Sequence, residues 1–458
     1  MTRYRVQNPA TGEILDEFAA MTDADLESAI AGSEAAYREW RGRSIQERAS
    51  IVRRVAELFG ERKDELARLI ALEMGKPLQE GLEEVEFAAS IIDYYGVYGP
   101  TLATEFEIPS TVPGKAVIQR LPVGPLLGVM PWNFPYYQVA RFAAPNLVLG
   151  NTILLKHAEI CPSSALAIQD IMREAGVPEG VYTALFASHA QIAATVADPR
   201  MRGVSLTGSE RAGAIIGELA GRHLKKAVLE LGGNDAMIVL DAEDLDAVAD
   251  AAWNFRVYNG GQVCNANKRF IVHADVYDEF VAAIVARAEG LVPGDPLDMP
   301  ERGYGPLSSR AAAEQVNEQV KRAVADGATL HVGGELRDDT SAYFSPAVLT
   351  GVARDSATFR EEIFGPVAVI YKVSSDEEAI ELANDSDFGL GGSVFAIDEA
   401  RAARLASRLE VGMAHVNTIA AESAELPFGG VRNSGFGREM GPLGMDEFVN
   451  KRLYFIAE

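Results

Sequence analysis

The feature that most constrains the fold of this chain is an alternation of short apolar runs and helical patterns after about residue 120. Such an alternation is typical of a parallel, doubly wound sheet with helices on both faces. Sheets of this kind bind ligands at the carboxyl ends of their strands, so we expect functional residues there. The apolar runs lie at 125–130, 152–155, 182–186, 204–206 and 227–231, and the helical patterns at 163–175 and 209–220.

A second alternating series follows and predicts a second α/β unit, with a boundary near Gly232-Gly233. Its periodicity changes between 3.6 and 2 residues in the same way as in the first series. The sequence therefore predicts an α/β fold that contains a Rossmann-like doubly wound unit and a second α/β unit. The expected helices lie at 244–258, 275–291, 375–384 and 398–409, and the expected strands at 270–273, 329–332, 392–397 and 413–416.

The first hundred residues are predicted to be helical. Apolar residues recur at intervals of three and four over 23–41, 44–72 and about 78–95. Asp23 and Ser44 are the expected N-caps of the first two helices.

Two further segments fit neither unit. Segment 109–120 alternates polar and apolar residues, and 449–456 is also strand-like. Together they predict either an arm that pairs with another chain or an ordinary surface hairpin, and the sequence leaves both alternatives open.

Composition narrows the class of protein. The 458 residues include 42 Lys plus Arg and 66 Asp plus Glu, for a formal charge of −24. This negative field argues against a nucleic-acid or anionic-membrane partner, since both favour clustered Lys and Arg. No uninterrupted apolar stretch has the length of a membrane-spanning helix, and the N-terminal residues include no apolar region of the kind found in a signal peptide. Only Cys161 and Cys264 occur, so no disulfide framework is expected, and reduced thiols fit a cytoplasmic protein. His157 and Cys161 do not make a metal site on their own.

Cys264 is the strongest candidate nucleophile. Two glycines precede it in Asn259-Gly260-Gly261-Gln262-Val263-Cys264, which indicates a tight turn whose backbone is open to a ligand. A thiol is a good nucleophile as its thiolate, although a buried and inert cysteine is the usual finding. Cys161 lies beside an expected helix start and is interpreted as structural.

Two other residues suit chemistry at a carbonyl group. Glu230 lies between two leucines at the end of an expected strand, where burial would raise its pKa towards that of a general base. The alternative is a solvated carboxylate on an edge strand. Asn133, in the Pro131–Pro135 loop, offers an amide donor for an oxyanion or is simply a turn residue.

No Gly-x-Gly-x-x-Gly fingerprint occurs. Instead, segment 206–213 ends one strand and opens a helix at Gly208 and Ser209, where backbone N–H groups can hold a phosphate. Lys156 and Glu159 follow another strand and could bind ribose hydroxyls. Each of these signals is weak alone.

In combination these residues are far more specific, because the chain resembles the aldehyde dehydrogenase superfamily over essentially its full length. It looks most like the compact bacterial succinate-semialdehyde dehydrogenases. The motifs that carry the resemblance, in the family's order, are 131–135, 156–159, 206–213, 230–233, 261–264, 362–366, 427–430 and 437–439.

The resemblance implies a catalytic role for four residues. Cys264 would attack the aldehyde, and Asn133 with the Cys264 backbone N–H would hold the oxyanion of the thiohemiacetal. Hydride transfer would give a thioester, which Glu230 would hydrolyse by activating water. Glu439 would be a second, proton-relaying acid.

The resemblance also implies the cofactor, NAD with NADP as an alternative. Glu159 favours NAD, because its charge would repel a 2′-phosphate. Residues 1–108 and 121–232 would bind the cofactor, and 233–432 would form the catalytic domain. Segments 109–120 and 446–458 would form an oligomerisation arm of a homodimer or homotetramer. The implied cofactor-binding residues are Trp132, Lys156, Glu159, Gly208, Ser209, Glu362 and Phe364.

The substrate expectation rests on three residues. Arg141 and Ser423 match positions that bind a substrate carboxylate in succinate-semialdehyde enzymes, and Phe428 would line the pocket. A guanidinium binds a carboxylate bidentately, but a salt bridge from Arg141 to an acidic neighbour is the alternative. A second arginine of some of these enzymes is Tyr258 here, which weakens the assignment. The competing expectation is a dehydrogenase of uncharged aliphatic or aromatic aldehydes.

Overall fold

The computed structural model describes residues 4–458, and its first part is a hairpin followed by a layer of helices. The helices pack apolar faces on one another and on the sheet that follows them. In chain order the elements are β1 (Tyr4–Gln7), β2 (Ile14–Phe18), α1 (Asp23–Trp40), α2 (Ile45–Glu61), α3 (Lys63–Met74), α4 (Leu78–Leu102), β3 (Phe106–Ile108) and β4 (Gly114–Pro122).

Three expectations for this region need correction. The N-cap of α1 is Thr22 rather than Asp23, because Thr22 and Asp25 form a capping box. The helix expected over 44–72 is two helices, since Arg62 leaves helical geometry at φ −106°, ψ 17°. Helix α4 continues to Leu102 instead of ending near Tyr95, because its buried face continues through Gly96 and Gly99. Ser44 caps α2 as predicted.

The first α/β unit contains a parallel sheet in the order β9-β8-β5-β6-β7. Its register sets Val129 opposite both Lys156 and Leu206, and Thr207 opposite Glu230. The carboxyl ends of four strands therefore lie along one edge. The elements are β5 (Pro125–Val129), α5 (Pro135–Leu149), β6 (Thr152–Lys156), α6 (Pro162–Glu174), β7 (Tyr182–Ala184), α7 (His189–Ala197), β8 (Gly203–Thr207), α8 (Glu210–Arg222) and β9 (Lys226–Glu230).

The second α/β unit begins at β10, after a crossover at 231–234, and has its own apolar core. Its elements are β10 (Asp235–Val239), α9 (Leu245–Val257), β11 (Asn267–His273), α10 (Ala274–Ala288), β12 (Val292–Pro293), β13 (Gly303–Tyr304), α11 (Arg310–Ala325), β14 (Thr329–Val332), β15 (Ala347–Thr350), α12 (Ala357–Arg360), β16 (Val367–Val373), α13 (Asp376–Asn384), β17 (Phe388–Gly389), β18 (Gly391–Phe395), α14 (Glu399–Ala406) and β19 (Met413–Val416). The sheet order is β14-β15-β16-β11-β10-β18-β19, with β14 antiparallel to its neighbour.

The C-terminal segment returns to the first half of the chain. It comprises β20 (Val431–Arg432), β21 (Gly435–Phe436), α15 (Gly441–Gly444) and β22 (Val449–Ala457). Strand β21 adds to β9 at the edge of the first sheet, beside Glu230. Strand β22 pairs with β4 over nine residues, and β3 completes a separate three-stranded sheet. The strand expected at 109–120 thus begins at Gly114 and pairs within the chain.

Across residues 4–458, no helix combines the length and the apolar character needed to cross a membrane.

Candidate active site

Cys264 lies in a tightly turned segment between α9 and β11. Asn259, Gly260 and Gly261 all have positive φ angles, of 52°, 63° and 72°. A side chain on Gly261 would collide with the backbone of Gly365, so the turn requires glycine there. Lys268 then fixes the end of the loop, because its Nζ donates to the Cys264 carbonyl at 2.7 Å. The sequence-predicted turn before Cys264 is therefore present.

The environment of Cys264 favours the neutral thiol. Burial raises its pKa to about 12, while the charges of Arg141 and Lys268 oppose the shift. The half-buried thiol therefore needs a base to become a thiolate. Cys161, by contrast, is fully buried at the start of α6, as a structural cysteine should be.

Asn133 lies at the carboxyl end of β5, just before α5, and connects two loops. Its Nδ2 donates to the Gln262 carbonyl at 3.1 Å, and its own carbonyl accepts from Asn259 Nδ2 at 2.9 Å. A side-chain amide carries two N–H groups, so a second donor remains for an oxyanion. The structure thus brings Asn133 next to the segment that carries Cys264.

Glu230 and Glu439 are two buried carboxyl groups behind this loop. Neither oxygen of Glu230 has a hydrogen-bond partner among the described residues, and burial raises its pKa well above the ordinary value. Burial also raises the pKa of Glu439, while Arg141 and the Ser205 hydroxyl, 3.1 Å away, oppose the shift. A buried carboxyl group with a raised pKa is suited to proton transfer near neutral pH.

Arg141, one of the expected substrate-binding residues, is paired with an acidic neighbour. Its guanidinium forms a fully buried ion pair with Glu439, and donates to Tyr137 Oη at 3.2 Å and Thr207 Oγ1 at 3.1 Å. The rings of Tyr137 and Phe428 flank it, at 4.8 and 4.7 Å. This is the salt bridge to an acidic neighbour that the sequence left open. Arg141 lines neither of the two cavities that include Cys264.

A cavity of about 620 Å³ opens beside Cys264 at the carboxyl edge of the first sheet. Ser209 caps α8 at its mouth, and Glu362 is held by Lys268 Nζ and the Gly233 N–H, each at 3.1 Å. Phe364 packs edge-on against Trp132 at 5.8 Å. The predicted residues that line this cavity are Trp132, Asn133, Gly208, Ser209, Cys264, Glu362 and Phe364.

Lys156 and Glu159 lie on the same sheet edge but outside the lining of this cavity. Lys156 Nζ is 2.8 Å from Glu159 Oε1 and 3.1 Å from the His157 carbonyl. The negative charge of Glu159 is therefore partly neutralised. His189, at 3.7 Å, is the next titratable neighbour.

A second, smaller cavity of about 60 Å³ also includes Cys264 in its lining. It includes Phe428 and Tyr258, but not Arg141 or Ser423; Ser423 is half-buried and its carbonyl accepts from Leu426. None of its lining residues is a cation. They are Glu84, Phe87, Phe134, Tyr137, Phe255, Tyr258, Val263, Cys264, Asn265, Glu422 and Phe428.

Sequence reasoning missed three residues of the site. Gln138 is fully buried, lines the larger cavity and has no hydrogen-bond partner for either amide atom within residues 4–458. The one sequence feature that could have drawn attention to Gln138 is that it is a lone amide within an apolar helix. Glu422 lies in the smaller cavity and accepts from Asn265 at 2.6 Å, and Lys268 fixes the Cys264 loop. Neither carried a local sequence signal.

The larger cavity fits a dinucleotide. Gly208 leaves the start of α8 open, because a Cβ there would meet nothing closer than 3.8 Å. Backbone N–H groups at a helix start bind phosphate, and the unpartnered Gln138 amide offers both a donor and an acceptor deeper in the cavity. The site thus combines a thiol, an amide donor, a buried carboxyl group and a nucleotide-shaped cavity.

Comparison with known proteins agrees with this geometry. The sequence profile of the aldehyde dehydrogenase family matches residues 1–453, and the chain belongs to that family. It is 53% identical over 453 residues to the succinate-semialdehyde dehydrogenase [NADP(+)] of Deinococcus radiodurans, covering 98% of this chain and 94% of the relative. The protein is therefore an enzyme that oxidises aldehydes with NAD or NADP.

Solved structures confirm the α/β fold. The succinic semialdehyde dehydrogenase of Streptococcus pyogenes, solved with NADP+, superimposes with a TM-score of 0.96 at 41% identity, over 99% of this chain and 100% of that one. The betaine aldehyde dehydrogenase of Staphylococcus aureus, solved with NAD+, gives a TM-score of 0.95 at 30% identity, over 99% and 91%.

Proposed function

We propose that Cys264 is the nucleophile of this aldehyde dehydrogenase and that it works where the two cavities meet. The single observation that carries the proposal is that position: Cys264 lines both the cavity of about 620 Å³ and the smaller aromatic cavity. An aldehyde in the smaller cavity can therefore meet both the thiol and a hydride acceptor.

Residues of this chain then carry out the proton transfers and stabilise the oxyanion. Glu230 takes the thiol proton of Cys264 as sulfur bonds to the aldehyde carbon, and Asn133 donates to the resulting oxyanion. When bound, the nicotinamide supplies the hydride acceptor, and Cys264 is left as a thioester. Once this proton has been passed on, Glu230 takes a proton from water, whose oxygen attacks the thioester carbon. The carbon–sulfur bond then breaks, Glu230 returns its proton to the Cys264 sulfur, and the product acid loses its own proton and leaves as the carboxylate. Glu439, hydrogen-bonded to Ser205, would pass the proton onward.

The proposed substrate is a short aldehyde with a distal carboxylate, such as succinate semialdehyde. The named activities of the relatives in Deinococcus and Streptococcus support this choice. Uncharged aliphatic or aromatic aldehydes are the second candidate, because the smaller cavity is lined by aromatic rings, Glu84 and Glu422. Values of kcat/KM for succinate semialdehyde, hexanal and benzaldehyde decide between them. A preference for hexanal would overturn the first choice.

The cofactor choice rests on opposing observations. Glu159 would repel the 2′-phosphate of NADP, whereas Lys156, 2.8 Å from Glu159, would attract it. The relatives from Deinococcus and Streptococcus are named with NADP, and the one from Staphylococcus with NAD+. We therefore infer that both cofactors bind, with Glu159 biasing the choice towards NAD. The substrate panel, run with each cofactor, tests this. Glu159→Ser should raise the NADP to NAD ratio of kcat/KM.

The remaining proposals concern organisation. We infer that 1–108 and 121–232 bind the cofactor, that 233–432 form the catalytic domain, and that 109–120 with 446–458 form an oligomerisation arm. The arm is supported by exposed apolar side chains on β22. Two free cysteines support a cytoplasmic location.

The nucleophile is tested by Cys264→Ala, with Cys161→Ala as its matched control. We expect Cys264→Ala to abolish aldehyde oxidation and to retain cofactor binding in a fluorescence titration. Cys161→Ala should keep turnover near that of the wild type. Appreciable oxidation by Cys264→Ala would exclude the proposed mechanism.

A further inference from the structure

Helix α4 carries two carboxylates on one face, close to its start. Glu80 and Glu84 are one helical turn apart, so their side chains point the same way. Lys76, just before the helix, forms an ion pair with Glu84 at 2.5 Å, and both side chains are fully buried. A buried ion pair needs excellent geometry to offset its desolvation. We call Lys76, Glu80 and Glu84 the α4 clamp.

Glu84 holds the element that follows Asn133. The N-cap of α5, Phe134, supplies no side-chain acceptor for the first N–H groups of that helix. Glu84 supplies it instead, because its Oε1 accepts from Tyr136 N at 2.8 Å and Tyr137 N at 3.2 Å. Lys76 Nζ lies 3.6 Å from the centroid of the Phe134 ring. The clamp thus fixes the loop of the oxyanion donor from behind.

Glu80 holds the segment that leads to Cys264. Its Oε2 accepts from Asn259 N at 2.6 Å, at the residue where the chain enters the left-handed turn. Asn259 then donates from Nδ2 to the Asn133 carbonyl at 2.9 Å. One face of α4 is therefore hydrogen-bonded both to the element that follows Asn133 and to the segment that leads to Cys264, and Asn259 links these two segments.

We propose that the α4 clamp is a set of positioning residues that fixes the distance between the oxyanion donor Asn133 and the nucleophile Cys264. The inference rests on the proposed function, which gives those two residues their roles. Both oxygens of Glu84 are occupied, so it acts through Asn133 rather than on the substrate. A misplacement of about 1 Å in a catalytic group can cost on the order of a hundredfold in rate.

Two probes of the whole enzyme separate positioning from simple stability. Hydrolysis of p-nitrophenyl acetate needs both the ionised thiol and the oxyanion donor, whereas alkylation by iodoacetamide needs the ionised thiol but no oxyanion donor. For Glu84→Gln and Glu80→Gln we expect ester hydrolysis to fall by about tenfold or more, and alkylation to stay within about threefold of the wild type. The Kd for the cofactor should be unchanged.

Glu73→Gln is the matched control. Glu73 is also a fully buried glutamate that caps a helix, accepting from Ser163 N at 2.6 Å, but it contacts neither loop. We expect it to lower the melting temperature without lowering either rate. The same loss of ester hydrolysis in Glu73→Gln, or parallel losses of both rates in the clamp variants, would overturn the proposal.

Two further variants keep the result decisive. If the unpaired Lys76 prevents Glu84→Gln from folding, Glu80→Gln carries the test, since Glu80 is only partly buried and binds a backbone N–H. Asn133→Ala distinguishes a failure of the oxyanion role of Asn133 from a failure of the α4 clamp. Full ester hydrolysis by Asn133→Ala would refute the oxyanion role itself, whereas a loss there with wild-type rates in Glu80→Gln and Glu84→Gln would refute the clamp alone.

Discussion

Arg141 has partners that no local pattern could place beside it. The sequence showed a cation within an apolar helix and offered two explanations, a substrate ligand or a salt bridge. In the folded chain Arg141 is paired with Glu439, which lies about three hundred residues away in the sequence. The positive charge of Arg141 also acts on two catalytic groups. It lowers the pKa values of Cys264 and Glu230, which burial raises.

The first prediction follows from that ion pair. Arg141→Ala leaves Glu439 buried without its partner, which costs about 3–5 kcal/mol in comparable cases. We expect kcat/KM to fall by a similar factor for succinate semialdehyde and for butanal, together with a lower melting temperature. Steady-state kinetics with both aldehydes measure the ratio. A loss confined to succinate semialdehyde would instead make Arg141 a carboxylate ligand.

Other single residues were recognisable because their chemistry shows in short motifs. Cys264 follows a glycine turn, and Glu230 interrupts an apolar strand. The structure places Glu230 at the carboxyl end of β9, and Cys264 just before the amino end of β11. Gln138 and Lys268 were not recognisable, because a lone amide in an apolar helix does not by itself indicate a role and the lysine carries no local signal. Their importance comes from burial and from partners that only the folded chain supplies.

At the scale of elements, periodicity located every strand of the first parallel sheet and four strands of the second to within a few residues, but it missed β10, β15 and β16, and helix ends were harder. The apolar spacing continues across Arg62, so the pattern alone reads as one helix, and only the backbone angles reveal the break. The end of α4 depends on contacts with α5, where Gly99 allows close packing against Val148. Such boundaries are set by packing rather than by propensity.

The second prediction concerns the turn before Cys264. Gly261→Ala should lower activity by at least a hundredfold, because a Cβ there would collide with Gly365 and displace the nucleophile. Gly351→Ala is the matched control: its φ is also +70°, but nothing lies within 4 Å of its Cβ position. It should lose only about 1 kcal/mol of stability, from backbone strain. Equal activity in the two variants would contradict the requirement at Gly261.

At the scale of the whole molecule, the long strand β22 lies at one edge of the three-stranded sheet. An exposed edge strand is a template for pairing with another chain, and natural proteins usually protect it. Strand β22 carries three apolar residues with large solvent-exposed fractions: 59% for Leu453, 47% for Tyr454 and 49% for Ile456. A chain with a formal charge of −24 repels copies of itself, so an apolar contact is needed to hold an assembly together.

The last prediction tests this strand as the surface of self-association. Tyr454 and Ile456 are two residues apart, so they share one face of β22, and Tyr454→Glu with Ile456→Glu puts two charges into the proposed contact. We expect the double variant to sediment as a monomer of about 49 kDa, the mass of one chain, while the wild type sediments as a dimer or tetramer. Val324→Glu, on α11 and 42% exposed, controls for an added surface charge and should leave the assembly intact. Sedimentation velocity of the three proteins at one ionic strength gives the answer, because screening by salt would otherwise change the repulsion between chains. A monomeric wild type, or a double variant whose assembly has the same mass as that of the wild type, would contradict the proposed oligomerisation arm.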